Sequence, residues 1–260
     1  MTTENTGLLA GKNVLIMGVA NRWSIAYAIG EAMKAAGATL ILSYLDDRMK
    51  KDCEALIGDQ QNARMYPCDV SKDEDIDALA ESIKNDYGRL DTFVHSVGFA
   101  PSDAMKNRFV ETSRDGWRIA LDVSAYSLVA VSARIAPLMT EGGSIQTLTY
   151  LGSDRVFPAY RVMGVAKAAL EASVRYLAWD LGEQGIRVNA ISAGPVKTAA
   201  ARGIPGFTDM YRSLNEKTPL KSDFGAAQAA PTAVYLASDL SAAVTGEVIF
   251  VDNGYHAMGM

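Results

Sequence analysis

Cysteine and histidine are scarce in this 260-residue chain, which contains two of each. Cys53 and Cys68 lack CxxC spacing and have no cluster of histidines beside them, so the sequence predicts neither a metal site nor a disulfide framework. We expect two buried or half-buried thiols instead. His95 falls inside an apolar run and is interpreted as a hydrogen-bonded core residue, while His256 carries no functional signal.

Excess positive charge and long apolar runs are also missing. The 25 basic and 30 acidic residues give a net charge of −5, which argues against a nucleic-acid partner, because phosphates need a concentrated basic surface. No uninterrupted apolar run approaches the roughly 18 residues of a membrane span. The N-terminal stretch MTTENTGLLAGK lacks the basic and apolar regions of a signal peptide. The sequence therefore predicts a cytoplasmic protein without a membrane partner.

The chain does contain an alternation of short apolar runs and longer helical patterns. This alternation is typical of right-handed βαβ units and predicts one doubly wound, Rossmann-type α/β domain with a seven-stranded parallel sheet over residues 1–260. The predicted strands are Asn13–Met17, Thr39–Tyr44, Ala63–Cys68, Thr92–Ser96, Ser144–Leu148, Val188–Ser192 and Val248–Val251. The predicted helices are Ser24–Ala36, Asp47–Ile57, Asp73–Tyr87, Trp117–Met139, Tyr160–Glu183 and Ala227–Ala237.

The first strand–helix junction, GVANRWSIA from Gly18, has the properties of a pyrophosphate site. Ligands bind beyond the carboxyl ends of the strands in such sheets. Gly18 permits close approach to the backbone, and the helix that starts at Ser24 offers free N–H groups. The Ser24 hydroxyl either donates to a phosphate oxygen or only caps the helix, and the sequence leaves both interpretations open.

Residues after the next strands indicate which dinucleotide is bound. Leu45 is followed by Asp46 and Asp47, and these carboxylates would repel a 2′-phosphate, so NADH is favoured over NADPH. Asp69 either accepts from the adenine amino group or caps the following helix. Gly98 would allow the ribose to lie against the backbone.

Tyr160 and Lys167 open the second long helix and are the principal catalytic candidates. Seven residues span about two turns, which predicts that both side chains lie on one face. An ammonium group near a phenol favours the phenolate and lowers the phenol's pKa, and the same lysine can hold the ribose hydroxyls. Tyr150, just past the fifth strand, is a second candidate, or else an ordinary strand-end aromatic residue.

These residues resemble the short-chain dehydrogenase/reductase superfamily and, more closely, the bacterial enoyl-acyl-carrier-protein reductases of type II fatty-acid synthesis. The similarity covers nearly the whole chain, and its most specific part is the spacing of Tyr150, Tyr160 and Lys167. The similar stretches are GVANRWSIAYAI, DV at Asp69, HSVGFAP, TYLGSDRVFPAYRVMGVAKAALEA, RVNAISAGPVKT and TGEVIFVDNG.

The resemblance implies an NADH-dependent reductase of the trans-2 double bond of enoyl thioesters, with acyl carrier protein as partner and a homotetrameric assembly. Tyr160 would donate to the forming enolate, Tyr150 would sit by the substrate carbonyl, and Lys167 would bind the ribose. A substrate-binding lid is implied at about 194–224. The implied cofactor contacts are Gly18, Ser24, Ile25, Leu45, Asp69, Val70, Ser96, Gly98, Lys167, Val196 and Thr198. The implied substrate contacts are Ala100, Tyr150, Tyr160, Ala199, Ala200, Phe207 and Met210.

Two other functions remain open from the sequence. Ketoreductases of the superfamily use a serine thirteen positions before the tyrosine, and Thr147 occupies that position here. However, the chain lacks their TGxxxGxG turn and NNAG sequence. A non-catalytic nucleotide-binding regulator is the third possibility, against which the retention of both tyrosines and Lys167 argues.

Overall fold

The computed structural model describes residues 7–196 and 217–259. Seven strands in this part of the chain form one parallel sheet in the order β3-β2-β1-β4-β5-β6-β7, which confirms the predicted fold class. The order reverses between β1 and β4, and the crevice at that point is where doubly wound sheets bind their ligands. The strands are β1 (Asn13–Met17), β2 (Thr39–Tyr44), β3 (Arg64–Pro67), β4 (Thr92–His95), β5 (Gly143–Thr149), β6 (Ile186–Ala193) and β7 (Val248–Val251).

Helices cover both faces of the sheet. They are α1 (Ile25–Ala35), α2 (Asp47–Ile57), α3 (Asp73–Tyr87), α4 (Ser102–Lys106), α5 (Arg114–Leu121), α6 (Ser127–Ile135), α7 (Arg161–Gly182) and α8 (Ala226–Ala237). Successive strand residues point to opposite faces, so Val14 and Ile16 join a core with α1, α2 and α8. Leu15 and Met17 join a second core with α3, α6 and α7. This double burial explains why the strands are apolar without alternation.

The predicted long helix Trp117–Met139 is interrupted, contrary to expectation. Helix α5 begins earlier, at Arg114, a π turn occupies Asp122–Tyr126, and a 3₁₀ turn ends the run at Ala136–Leu138. π turns are rare and occur often at functional sites. We therefore expect a functional site near the surface on which this segment packs.

The whole segment Arg114–Leu138 is, among the residues that the structure describes, the one helix long and apolar enough to cross a membrane. Its mean hydropathy reaches 1.5 over 18 residues, and 56% of that window is buried inside the protein. The same length and composition occur in core helices. Leu128, Val131 and Ile135 lie in the apolar core with α3 and α7, so we interpret the segment as a core helix.

Candidate functional site

The carboxyl ends of β1 and β4 meet at Gly18. Its backbone is left-handed, with φ +90°, and a Cβ atom there would overlap the carbonyl group of Ser96. The Ser96 amide also donates to the Met17 carbonyl at 3.0 Å. Only glycine satisfies both the dihedral angle and the close approach, so Gly18 and Ser96 form the floor of the crevice.

Ser24 caps helix α1, and its hydroxyl is already engaged. The oxygen accepts from the Tyr27 amide at 3.2 Å, while the hydroxyl donates to the Asn21 carbonyl at 2.7 Å. The capping interpretation is therefore favoured over donation to a phosphate. Ile25, half-buried, is the first helical residue, and the remaining amides of the first turn lie at the positive end of the helix dipole.

The ends of β2 and β3 differ in polarity. Leu45 is 56% exposed beyond β2, and Asp46 caps α2 by accepting from the Met49 amide at 2.8 Å. Beyond β3, Asp69 accepts from the amide and hydroxyl of Ser71 at 3.0 and 2.7 Å.

Burial by itself would raise the pKa of Asp69, but the hydrogen bonds from Ser71 and the nearby Lys72 outweigh it, and the net shift is downward. The carboxylate is thus committed to a local turn before α3. It does not cap that helix, whose N-cap residue is Lys72 and which has no side-chain cap hydrogen bond. Val70 beside it is half-buried.

Gly98, beyond β4, lies opposite Lys167. A Cβ atom at this glycine would stand 3.6 Å from Lys167 Nζ and 3.8 Å from the Ser124 hydroxyl. Ser124 belongs to the π turn and clamps the backbone of Phe99, accepting from its amide at 2.9 Å and donating to its carbonyl at 3.0 Å. The π turn therefore fixes the loop after β4. Ala100 packs against a small apolar cluster of Ala104, Ala120 and Val162.

Tyr150 and Tyr160 are brought together at the end of β5. Their ring centroids are 5.1 Å apart with an interplanar angle of 72°, and Phe157 packs 5.0 Å from Tyr150. Gly152 makes this possible, because a Cβ atom there would lie 2.5 Å from Tyr160 Cδ1 and 3.0 Å from Tyr150 Cδ1. The two phenols form one aromatic unit.

The sequence predicted that the second long helix begins at Tyr160, but Tyr160 lies just outside it. Helix α7 begins at Arg161 with Tyr160 as its N-cap residue, and Arg161 has φ +49°. A left-handed backbone is uncommon for a long side chain and costs about 1–2 kcal/mol. The relative position of the Tyr160 and Lys167 side chains therefore depends on the strained backbone at Arg161. It does not follow from two regular helical turns, as the sequence predicted.

Both phenols keep their protons, contrary to the expectation of a lysine-stabilised phenolate. Burial is the main cause that raises the pKa of Tyr160, and the charge of Glu171 adds to it. Burial likewise raises the pKa of Tyr150, with contributions from Tyr160, Tyr255 and Asp252. The Tyr150 hydroxyl is buried and has no hydrogen-bond partner among the described residues. The site thus presents neutral O–H donors.

Lys167 is 7% exposed, and its ammonium group donates to the Leu148 carbonyl at 2.8 Å. Burial lowers its pKa to about 8, and the negative charge of Glu171 opposes that shift. A lysine held in this way is cationic at neutral pH and points along the crevice towards Gly98.

Thr147, the residue at the ketoreductase serine position, is turned into the core. It is fully buried, and its hydroxyl lies 2.9 Å from His95 Nδ1. The other ring nitrogen lies 2.8 Å from the hydroxyl of Ser127, which itself donates to the Val123 carbonyl at 2.7 Å. His95 is neutral, since burial and then the charge of Lys167 lower its pKa to about 3.

A neutral ring has one N–H. Because the Ser127 hydroxyl proton is used elsewhere, we assign that N–H to Nε2, which leaves Nδ1 as an acceptor. The Thr147 hydroxyl has two acceptors within reach, Nδ1 at 2.9 Å and the His95 carbonyl at 3.2 Å. The interpretation of His95 as a satisfied core residue agrees with this network, and Thr147 is not free to contact a substrate.

The sequence reasoning missed several residues at this edge of the sheet. Asp252 and Tyr255 follow β7 and act electrostatically on Tyr150. Asp252 is 6% exposed and contacts Gly194, at whose position a Cβ atom would stand 3.0 Å from the Asp252 Cα. The rule that ligands lie beyond strand ends would have found Asp252 had it been applied to the last strand. Ser124 and Gly152 had no such signal.

Part of the expected site lies outside the described residues. Val196 is buried at 8% exposure and is the last residue described before the gap. Five expected contacts fall in the gap: Thr198, Ala199, Ala200, Phe207 and Met210.

The described residues fit a bound dinucleotide. Gly18 and Gly98 leave the crevice floor without side chains, α1 directs its N-terminus at the crevice, and Lys167 stands at the end nearest the tyrosines. Leu45 offers an exposed apolar contact at the opposite end. The arrangement could hold a cofactor along the switch point, with a cation and two phenols on the side of Gly98 and β5.

The comparisons with known proteins agree with this geometry. The family model described as Enoyl-(Acyl carrier protein) reductase matches residues 18–256. The NADH-dependent enoyl-acyl-carrier-protein reductase FabI of Bacillus cereus is 48% identical over 254 residues, covering 97% of this chain and 99% of the relative. An NADPH-dependent FabI of Staphylococcus aureus is 45% identical over 252 residues, covering 96% and 98%.

A crystal structure of the Bacillus cereus enzyme with NADP⁺ and indole naphthyridinone superposes with a TM-score of 0.95 at 48% identity, covering 98% of this chain and all of that one. The similarity extends over nearly the full length of both chains and agrees with the fold described above. The chain belongs to the enoyl-acyl-carrier-protein reductase family.

Proposed function

We propose that this protein reduces the trans-2 double bond of enoyl thioesters carried by acyl carrier protein, with NADH as the reductant, in fatty-acid synthesis. The observation that carries the proposal is the contrast between Tyr160 and Thr147. Tyr160 is a neutral O–H donor packed on Tyr150, whereas Thr147 is fully buried against His95.

The chemistry needs a donor at the thioester oxygen. When bound, the nicotinamide supplies a hydride to the β-carbon, and negative charge then develops on the thioester oxygen. Tyr160 donates a hydrogen bond to that oxygen, which stabilises the transition state more than the ground state. The α-carbon of the enolate then takes a proton from water, which completes the reduction. Tyr150 shapes the same pocket, and its buried hydroxyl has no hydrogen-bond partner among the described residues.

The cofactor lies, in this proposal, along the switch point. Lys167 holds the ribose hydroxyls, Gly18 and the α1 N-terminus take the pyrophosphate, and Leu45 contacts the adenine. Asp46 and Asp47 disfavour a 2′-phosphate, which accords with the NADH dependence of the Bacillus cereus relative. The remaining proposed cofactor contacts are Ser24, Ile25, Asp69, Val70, Ser96, Gly98, Val196 and Thr198.

The substrate enters beside the same tyrosines. We assign Ala100 to the acyl pocket, together with the lid residues Ala199, Ala200, Phe207 and Met210 within about 194–224. Part of that segment is described, and it packs on the end of β7, where the Leu220 amide donates to the Asn253 carbonyl at 3.1 Å. The enzyme acts on its carrier-protein substrate in the cytoplasm, without a nucleic-acid or membrane partner.

A homotetramer is part of the proposal. Trp179 and Tyr176 on α7 are 84% and 75% exposed, and Phe250 on β7 is 38% exposed. Large aromatic side chains in such positions are typical of surfaces that are covered by another subunit.

A paired assay tests the reaction. The protein is mixed with NADH and a short trans-2-enoyl thioester, then with a 3-ketoacyl thioester, and the absorbance of NADH is followed. We expect turnover on the enoyl substrate, and Tyr160→Phe should lower it with little change in NADH affinity. Turnover on the keto substrate alone would favour the ketoreductase alternative, and NADH binding without any turnover would favour a regulator.

A further inference from the structure

Two successive residues at the end of β5 form hydrogen bonds with two side chains on one face of α7. The Leu148 carbonyl accepts from the Lys167 ammonium group at 2.8 Å, and the Thr149 hydroxyl donates to Glu171 Oε1 at 2.6 Å. Lys167 and Glu171 are four residues apart, so they are neighbours on the helix surface. The lysine and the carboxylate are thus fixed to the same strand end, directly before Tyr150.

Among the residues that the structure describes, few charges lie near Lys167. On its own helix stand Glu171 and, at the N-cap, Tyr160, whose pKa is raised chiefly by burial, so that it is neutral. From β4 the neighbour is His95, which is neutral because its pKa is about 3. Tyr150 at the end of β5 is neutral as well. Glu171 therefore supplies the negative charge that opposes the effect of burial on Lys167.

We infer that Glu171, anchored by Thr149, is a positioning residue that keeps Lys167 positively charged beside the cofactor ribose. This inference rests on the proposed function, because it assigns Lys167 to the cofactor. Glu171 itself touches neither substrate nor cofactor in this account.

The charge of Glu171 also acts on Tyr160, where it disfavours the ionised form of the side chain. A carboxylate that favours the ammonium form of Lys167 also disfavours the phenolate form of Tyr160. One half-buried carboxylate thus favours both protonation states that the reaction needs, a cation at the ribose and, together with burial, an O–H donor at the thioester.

Hydrogen bonding and charge can be separated at this position. In Glu171→Gln the side-chain amide oxygen still accepts from Thr149, and only the charge is lost. In Thr149→Val the charge remains, but its anchor is lost. Asp180→Asn is the matched control, because it removes one carboxylate from the exposed side of the same helix.

The protonation of Lys167 is measured in the full-length protein without cofactor. Trace acetic anhydride is applied at a series of pH values, and acetylation of Lys167 is quantified by mass spectrometry of the tryptic peptide from Val162 to Arg175. We expect the titration midpoint of Glu171→Gln to fall by about one pH unit, because a nearby carboxylate no longer favours the cation. Thr149→Val should shift in the same direction by less, and Asp180→Asn should match the wild type.

A second measurement links the charge to the cofactor. The dissociation constant of NADH is determined by fluorescence across the same pH range, and in Glu171→Gln it should begin to rise at a lower pH than in the wild type. An unchanged midpoint in a folded Glu171→Gln protein overturns the inference. If Glu171→Gln does not fold, an unchanged midpoint in Thr149→Val overturns it.

The outcome is distinct from that of the substrate assay. A wild-type protein that fails to reduce enoyl thioesters, while its Lys167 midpoint still depends on Glu171, refutes the proposed reaction and leaves the charge relationship in place. An active wild type with a Lys167 midpoint that is indifferent to Glu171 refutes only the inference.

Discussion

Tyr150 and Tyr160 meet edge to face across Gly152, with ring centroids 5.1 Å apart. The contact depends on the missing side chain at Gly152, since a Cβ atom would stand 2.5 Å from Tyr160 Cδ1. The relative position of the two phenols is therefore set by a residue that takes no part in the chemistry.

Gly152→Ala should displace Tyr160 and lower kcat by about 100-fold, since misplacement of a donor by about 1 Å has effects of that size. NADH affinity should stay within a factor of about two, because the cofactor contacts are not altered. Steady-state kinetics and NADH titration check both values. Gly182→Ala is the matched control, because a Cβ atom there meets nothing within 4 Å, and a comparable loss in that variant would contradict the argument.

His95 predicts a specific loss of stability in acid. Its pKa is about 3 in the folded protein against about 6.5 in an unfolded chain, so the unfolded state binds the additional proton between these values. Stability should fall as the pH falls through that window, by about 2 kcal/mol at pH 5 from this residue alone. Urea unfolding at pH 7 and pH 5 measures the loss.

The comparison for this prediction removes the imidazole. His95→Gln should show a smaller difference between pH 7 and pH 5 than the wild type. If His95→Gln keeps the wild-type difference, the acid sensitivity comes from other groups and the assignment of His95 is wrong.

Cofactor preference should respond to Asp46. Asp46→Ser keeps a side chain able to cap α2 but removes a negative charge beside the expected 2′ position, so the ratio of kcat/KM for NADPH to that for NADH should rise about tenfold. Kinetics with both cofactors measure the ratio. Asp59→Ser, an exposed carboxylate near the other end of α2, serves as control, and an equal rise in both variants would indicate a long-range charge effect only.

The left-handed backbone of Arg161 predicts an unusual stabilising substitution. Asparagine tolerates φ near +49° better than arginine, so Arg161→Asn should raise the free energy of unfolding by about 1 kcal/mol. Arg161→Ala keeps the strain and should bring no such gain. Urea denaturation of the two variants is the measurement, and equal stabilities would show that the helix start is not strained.

The exposed aromatic residues of α7 provide a test of the proposed assembly. Trp179→Glu should convert the proposed homotetramer to smaller species, because it places a charge in a surface expected to be buried between subunits. Size-exclusion chromatography with light scattering gives the mass. Leu240→Ser alters a side chain that is 67% exposed elsewhere and should leave the mass unchanged. A wild-type protein of monomer mass would refute the assembly.

Much of the fold could be predicted because parallel strands covered on both faces are recognisable as apolar runs. The start of α1 at Ser24 and the crevice at Gly18 followed from capping and turn chemistry that is encoded locally. The resemblance implied that Tyr150 and Tyr160 belong to one site, although not that their rings are in contact. Each of these features depends on a short segment of the sequence and could therefore be predicted from that segment.

Other features depend on contacts between distant segments and had no local signal. A glutamate four residues after Lys167 is an ordinary helix pattern until Thr149 is placed opposite it. The left-handed Arg161 breaks a rule of residue preference, so the sequence predicted a regular helix there. Thr147 fitted a catalytic position by spacing, and only its contact with His95 removed it from the site.

Because of the π turn at Asp122–Tyr126, the geometry of the active site depends on the number of residues in this segment. A π turn contains one residue more than an α turn, so the deletion of one residue here would restore a regular helix without opening the fold. The same deletion would rotate Ser124 by about 100°, away from the Phe99 backbone that it holds at 2.9 and 3.0 Å. Insertions and deletions in this helix should therefore affect catalysis before they affect folding.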